Sequence, residues 1–99
     1  MAANDEERMK DMALGDAEVR KFMEKFSKCS VRGNWLSKEM VRDLKAEYPQ
    51  TYSRLPDGQV FHILIDTLQE GMVGIPERPM LHVYIDPEKG KIVLKKRYP

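Results

Sequence analysis

Ninety-nine residues, 41% apolar and 33% charged, suffice for one domain around one core and exclude a second. A formal net charge of +1 gives no bulk attraction to nucleic acid or anionic membrane. Cys29, the only cysteine, excludes an internal disulfide and fits a reducing cytoplasm.

No apolar run approaches the roughly 20 residues of a membrane span, and the acidic start Asp5-Glu6-Glu7 lacks a signal-peptide core. The expectation is therefore a cytoplasmic chain with no membrane partner. Residues 1–15 are expected to be a flexible or weakly helical lead-in. Met9, Met12 and Ala13 are spaced as on one helical turn, and Gly15 interrupts them. The alternative is an extra helix that docks on the core or on a second copy.

Residues 16–99 read as a single domain. Asp16 is a favourable N-cap, and Val19, Phe22, Met23 and Phe26 follow at helical period on one face. This helix is expected to end near Cys29 or Ser30, before the breakers Gly33 and Asn34. Trp35-Leu36 reads as a brief strand. Ser37 caps a second helix, with Leu36 and Val41 at hydrophobic-staple spacing. Met40, Val41 and Leu44 form its buried face, and Tyr48-Pro49 ends it.

Leu55 to Gly71 is the most apolar stretch. Pro56 suits a first helical position and Gly71 a position just past a helix end. Val60, Phe61, Ile63, Leu64, Ile65 and Leu68 cover more than half the circumference, so this helix is expected to be largely buried. The β-branched Val60, Ile63 and Ile65 also suit a strand, but length and end signals favour a helix. After a loop with Gly74, Pro76 and Pro79, Met80 to Ile85 alternates as a strand. Leu81, Val83 and Ile85 face one way, His82 and Tyr84 the other. Asp86-Pro87-Glu88-Lys89-Gly90 is turn sequence. Lys91 to Arg97 returns as the second strand of a hairpin, with Ile92 and Leu94 inward.

In this order of elements the chain resembles the winged-helix variant of the helix-turn-helix fold over about residues 16–98. Asn34-Trp35-Leu36-Ser37 falls where that family has a short strand that joins its hairpin. Met40 to Gly71 falls where it has the helix-turn-helix, and Met80 to Tyr98 where it has the wing. The expected fold is α+β and winged-helix-like, a three-helix core with a C-terminal β-hairpin and a short third strand at 34–36. An isolated hairpin is marginal in water, so Leu81, Val83, Ile85, Ile92 and Leu94 are expected to lie on the helices. A competing α+β arrangement takes its third strand from Met72–Ile75.

The resemblance implies a small transcription-regulatory protein that binds double-stranded DNA. Arg54, Gln59 and His62 would face the major groove from the second helix of the motif. Gln59 suits adenine, and Arg54 suits guanine or a phosphate. Lys89, Lys91, Lys95, Lys96 and Arg97 of the wing would grip phosphates in a salt-dependent way, although lysines on an edge strand also prevent aggregation. Paired copies would match a two-fold site, so a homodimer is one expectation.

Asp57 and Asp66 on the would-be reading helix repel phosphates. They favour the alternative, a protein-interaction module of the same fold whose partner surface includes Tyr48, Tyr52, Met72 and Ile75. His62 and Asp66 at i, i+4 make only half a metal site. Cys29 has no nucleophile signature around it, and no phosphate-binding glycine motif occurs. No catalytic residue, metal or cofactor is expected, and the chain does not read as an enzyme.

Overall fold

The structure, a computed structural model, describes residues 2–26, 28–67 and 79–98. The elements run α1 (Ala2–Leu14), α2 (Ala17–Lys25), β1 (Cys29–Leu36), α3 (Lys38–Glu47), α4 (Pro49–Tyr52), β2 (Val60–Thr67), β3 (Met80–Asp86) and β4 (Lys91–Tyr98). The four strands form one antiparallel sheet in the order β1-β2-β3-β4.

The domain is α+β, but this sheet overturns the winged-helix expectation of a three-helix core with a hairpin wing. The stretch expected as the central helix is β2, an inner strand. Phe61, Ile63 and Ile65 point to one side and pair with Ile85, Val83 and Leu81. They pack with Met9 and Ala13 of α1 and Val19 and Phe22 of α2. Val60 points to the other side and packs with Val41, Leu55 and Tyr84. A strand covered on both faces loses its polar alternation, and a short continuous apolar run then imitates a buried helix. Pro56 and Gly58 lie in the bend before β2 rather than in a helix start. Leu68, Gln69, Gly71 and the competing third strand at Met72–Ile75 lie outside the described residues.

Strand β1 is likewise longer than the expected 34–36, and α2 ends earlier than expected, at Lys25. Gly33 sits inside the strand because a Cβ there would lie 2.5 Å from Cζ of Phe61. Residues 2–14, expected as a lead-in or as a docking helix, form α1, with Met9 and Ala13 in the core. Trp35 Nε1–H donates to Glu6 Oε1 at 3.2 Å and ties α1 to β1.

Both N-caps have the expected geometry. Asp16 accepts from the Glu18 and Val19 amides, and Ser37 Oγ accepts from the Met40 amide. Val41 is buried as its spacing requires, whereas Met40 faces solvent. In the β3–β4 turn, Asp86 Oδ1 accepts from the Glu88 and Lys89 amides, and Gly90 adopts φ 62°, which glycine tolerates best. A register shift at Tyr84/Ile85 then sends Ile92 to the α1–α2 side and Leu94 to the α3–α4 side. The two were expected on one face. Among the described residues no helix is long and apolar enough to cross a membrane.

Candidate functional site

Strand alternation sends one set of side chains away from α1 and α2. Register places Arg32, Leu64, His82 and Lys96 in one cross-strand row, and Asn34, His62, Tyr84 and Leu94 in the next. Val41 of α3, Tyr52 of α4 and Leu55 just after it cover one end of this face, packing around Val60 and Tyr84. Beyond that cover, Arg32, Asn34 and Tyr98 are exposed, and His62, Leu64, His82 and Lys96 are half-buried.

Six rings run across the face in unbroken contact. Tyr48 meets Tyr52 at 6.2 Å between centroids, Tyr52 meets Tyr84 at 5.8 Å, and Tyr84 meets His62 at 4.8 Å. His62 meets His82 at 5.0 Å, and His82 meets Tyr98 at 5.3 Å. The middle of the series is buried, Tyr84 being 5% exposed, while the ends reach water, Tyr48 at 56% and Tyr98 at 41%. Lys96 Nζ stands 4.9 Å from the ring centroids of both Tyr52 and Tyr98, a cation held over two ring faces.

A polar chain crosses the same strands. Asn34 Oδ1 lies 3.2 Å from His62 Nδ1, and His62 Nε2 lies 2.9 Å from His82 Nδ1. With the Asn34 carbonyl accepting, His62 carries its proton on Nδ1 and accepts on Nε2. His82 then donates from Nδ1 and keeps a lone pair on Nε2. Burial, and secondarily the charge on His82, pulls His62 down to about 4. Burial, and secondarily Lys96, lowers His82 as well. Both rings are neutral at pH 7.

Burial also raises the Tyr84 hydroxyl, assisted by its hydrogen bond with Tyr52. For Lys96 burial opposes the charge, but hydrogen bonds with the Tyr98 and Tyr52 hydroxyls outweigh it and keep the ammonium protonated. At the β1 end of the row, Arg32 lies 3.8 Å from the buried Asp66 carboxylate and is itself largely exposed. Three strand spacings, about 14 Å, separate it from Lys96.

Of the nucleic-acid-binding residues expected from the sequence, only His62 and Lys96 meet here, together with Tyr48 and Tyr52 of the expected partner surface. Lys95 points to the opposite face and pairs with Asp16 at 3.1 Å and Glu18 at 3.7 Å. Arg97 lies over the Phe22 ring at 5.5 Å on that same face. Lys89 and Lys91 are exposed at the hairpin turn, Arg54 follows α4, and Gln59 precedes β2. Asp57, counted above as repelling phosphate, is paired with Lys45 at 2.9 Å. His62 and Asp66 stand on a strand rather than on one helical face. Among the described residues no group of three or more His, Cys, Asp or Glu side chains is placed to hold a metal ion.

His82, Tyr84 and Tyr98 were not singled out as binding residues. For His82 and Tyr84 the signal was present in the alternation of residues 80–85, but joining it to His62 requires 60–67 to be a strand. Comparison with protein-family models, curated proteins and solved structures finds no match. The geometry is a series of rings packed on one another, open to solvent at its two ends, Tyr48 and Tyr98, with Lys96 and Arg32 as the cations of the face.

Proposed function

We propose that this protein binds single-stranded nucleic acid across the sheet face that bears the rings. The observation that carries the reading is the unbroken ring series from Tyr48 to Tyr98, with Lys96 seated in it and Arg32 across the sheet. Bases stack on such rings without regard to sequence, and each stacked base contributes about 1–3 kcal/mol. Sheets that present aromatic side chains are a recurring surface for unpaired RNA. A duplex suits this face poorly, because the major groove admits a helix or a two-stranded ribbon, not the breadth of a four-stranded sheet. A net charge of +1 is compatible with affinity that comes mainly from stacking. The role is binding rather than catalysis, and burial, with the Asp66 charge second, keeps the Cys29 thiol above its ordinary pKa and so in its unreactive form.

The test is fluorescence anisotropy with a labelled oligouridylate, the matching single-stranded DNA and a duplex. The single strands are expected to bind more tightly. Two phosphate contacts, to Arg32 and Lys96, imply a log–log salt slope of about −1.4 on a single strand. A hairpin gripping a duplex with five basic residues implies about −4.5. Tyr98→Ala is expected to weaken binding by roughly 5- to 150-fold, the value of one lost stack. Equal or tighter binding of duplex, or no effect of Tyr98→Ala, overturns the reading.

A second reading, a protein-interaction module, has one observation in its favour. β1 is an edge of the sheet, with Arg32, Gly33 and Asn34 exposed, and an edge strand can accept an extended peptide.

A further inference from the structure

We infer that His82 and Lys96 form a phosphate subsite on the ring-bearing face whose occupation takes up one proton, so that single-stranded nucleic acid binds more tightly as pH falls. The inference rests on the function proposed above and specifies how that surface holds the backbone. His82 and Lys96 are cross-strand neighbours in register, and the His82 lone pair on Nε2 is the end of the chain that starts at Asn34 Oδ1. A proton added at His82 Nε2 leaves the chain intact. His82 Nδ1–H still donates to His62 Nε2, now as the stronger charge-assisted bond. A second proton, on His62, sets two donors against each other across 2.9 Å. The pair therefore has room for one extra proton.

The groups that face the pair decide when that proton is held. Lys96 and Tyr98 approach from β4, Tyr52 from α4, and Tyr84 stands beside His82 on β3. Asn34 and Arg32 flank it from β1, and Asp66 on β2 is engaged by Arg32. Burial first, and then the positive charge of Lys96, disfavour the proton in the free protein. A phosphodiester seated between Lys96 and His82 brings one negative charge, offsets that repulsion and accepts hydrogen bonds from both. Binding then raises the affinity of His82 for its proton, and linkage requires the proton to raise the affinity for phosphate.

The experiment measures dissociation constants for a labelled oligouridylate from pH 7.5 to 5.5 at fixed ionic strength. Uracil has no group that titrates in this range. Affinity is expected to rise at least threefold across the range, with a limiting slope of about tenfold per pH unit for one proton. Calorimetry in two buffers of different ionisation enthalpy reads the proton uptake directly, with a limit of one. His82→Phe keeps a ring in the series but removes one of the two phosphate donors, so it is expected to bind more weakly than the parent, most of all at pH 5.5, and to lose the pH slope. Lys96→Gln is expected to bind more weakly at pH 7.5 and to move the slope to higher pH, because the repelling charge is gone. Dissociation constants flat with pH, or a His82→Phe variant that keeps the slope, overturn this inference and leave the proposed function standing. No binding at any pH overturns both.

Discussion

At Gly33 a single methyl group decides how closely β1 lies on the core. Cβ there would stand 2.5 Å and 2.8 Å from two ring carbons of Phe61, and 3.2 Å from Cε of Lys10. Lys10 can swing away. Phe61 cannot, because its ring is fully buried and held edge-on by Trp35 at 4.9 Å. Gly33→Ala is therefore expected to destabilise the fold by about 1–3 kcal/mol, the usual cost of overpacking a core. Urea denaturation measures it as a lower midpoint at unchanged slope. A double-mutant cycle with Phe61→Leu, which withdraws the ring atoms in question, locates the cause. The two changes together are expected to cost less than their sum, and strict additivity would place the strain elsewhere.

Strand β4 shows at the level of an element why neighbours in sequence part company in function. Lys95, Lys96 and Arg97 look like one basic patch, but the two-residue period deals them to opposite faces. Lys95 goes to Asp16, and that carboxylate also caps α2 through the Glu18 and Val19 amides at 3.1 Å and 3.3 Å. One side chain thus joins a helix start to a sheet edge. Burial works to raise the Asp16 pKa, yet hydrogen bonds from Lys95 and the two amides more than compensate and hold it below the ordinary carboxylate value.

Asp16→Ala is expected to lose about 1–2 kcal/mol, chiefly the cap. Asp16→Asn keeps the capping acceptor and isolates the partly exposed ion pair, worth less than about 1 kcal/mol. Since the folded-state pKa is depressed, this contribution is full above the unfolded value and vanishes as pH falls through the folded one. Thermal melts of the parent and Asp16→Asn are therefore expected to converge in strong acid.

The same contrast between local and non-local information explains what could be read from the residues in order. Asp16, Ser37 and Asp86-to-Gly90 act on amides within three or four positions, so caps and turn were legible. Residues 60–67 were not, because two-sided burial erases the period that marks a strand. The site failed with them. His62 and His82 are 20 positions apart, and only the β2–β3 register brings them within 2.9 Å. Tyr48 and Tyr52 were legible as surface groups near a loop, but not as one end of a ring series.

In the whole molecule, folding and ligand binding make opposite demands on the same protons. The sheet is covered by α1 and α2 on one side and by α3 and α4 on part of the other, and the partly covered side buries His62 as a neutral ring. Its folded pKa of about 4 lies below the ordinary 6.5, so between those values the unfolded chain binds protons that the folded one refuses. Stability is then full above about pH 6.5, declines as pH falls toward 4, and levels off below. His62→Phe, which keeps a ring between Tyr84 and His82 but has nothing to protonate, is expected to flatten this decline in denaturant midpoints measured between pH 7 and 4.5. An unchanged decline would assign it to other groups.

A bound phosphodiester reverses the demand at His82, where the complex holds a proton that the free fold gives up. The melting temperature of the free protein is therefore expected to drop from pH 7.5 to 5.5. The rise in melting temperature on adding saturating oligouridylate is expected to grow over the same interval, since stabilisation by a ligand follows its affinity for the folded state. Two opposite pH trends from one imidazole pair separate this arrangement from a merely acid-labile surface, for which the ligand-induced rise would shrink with the fold itself.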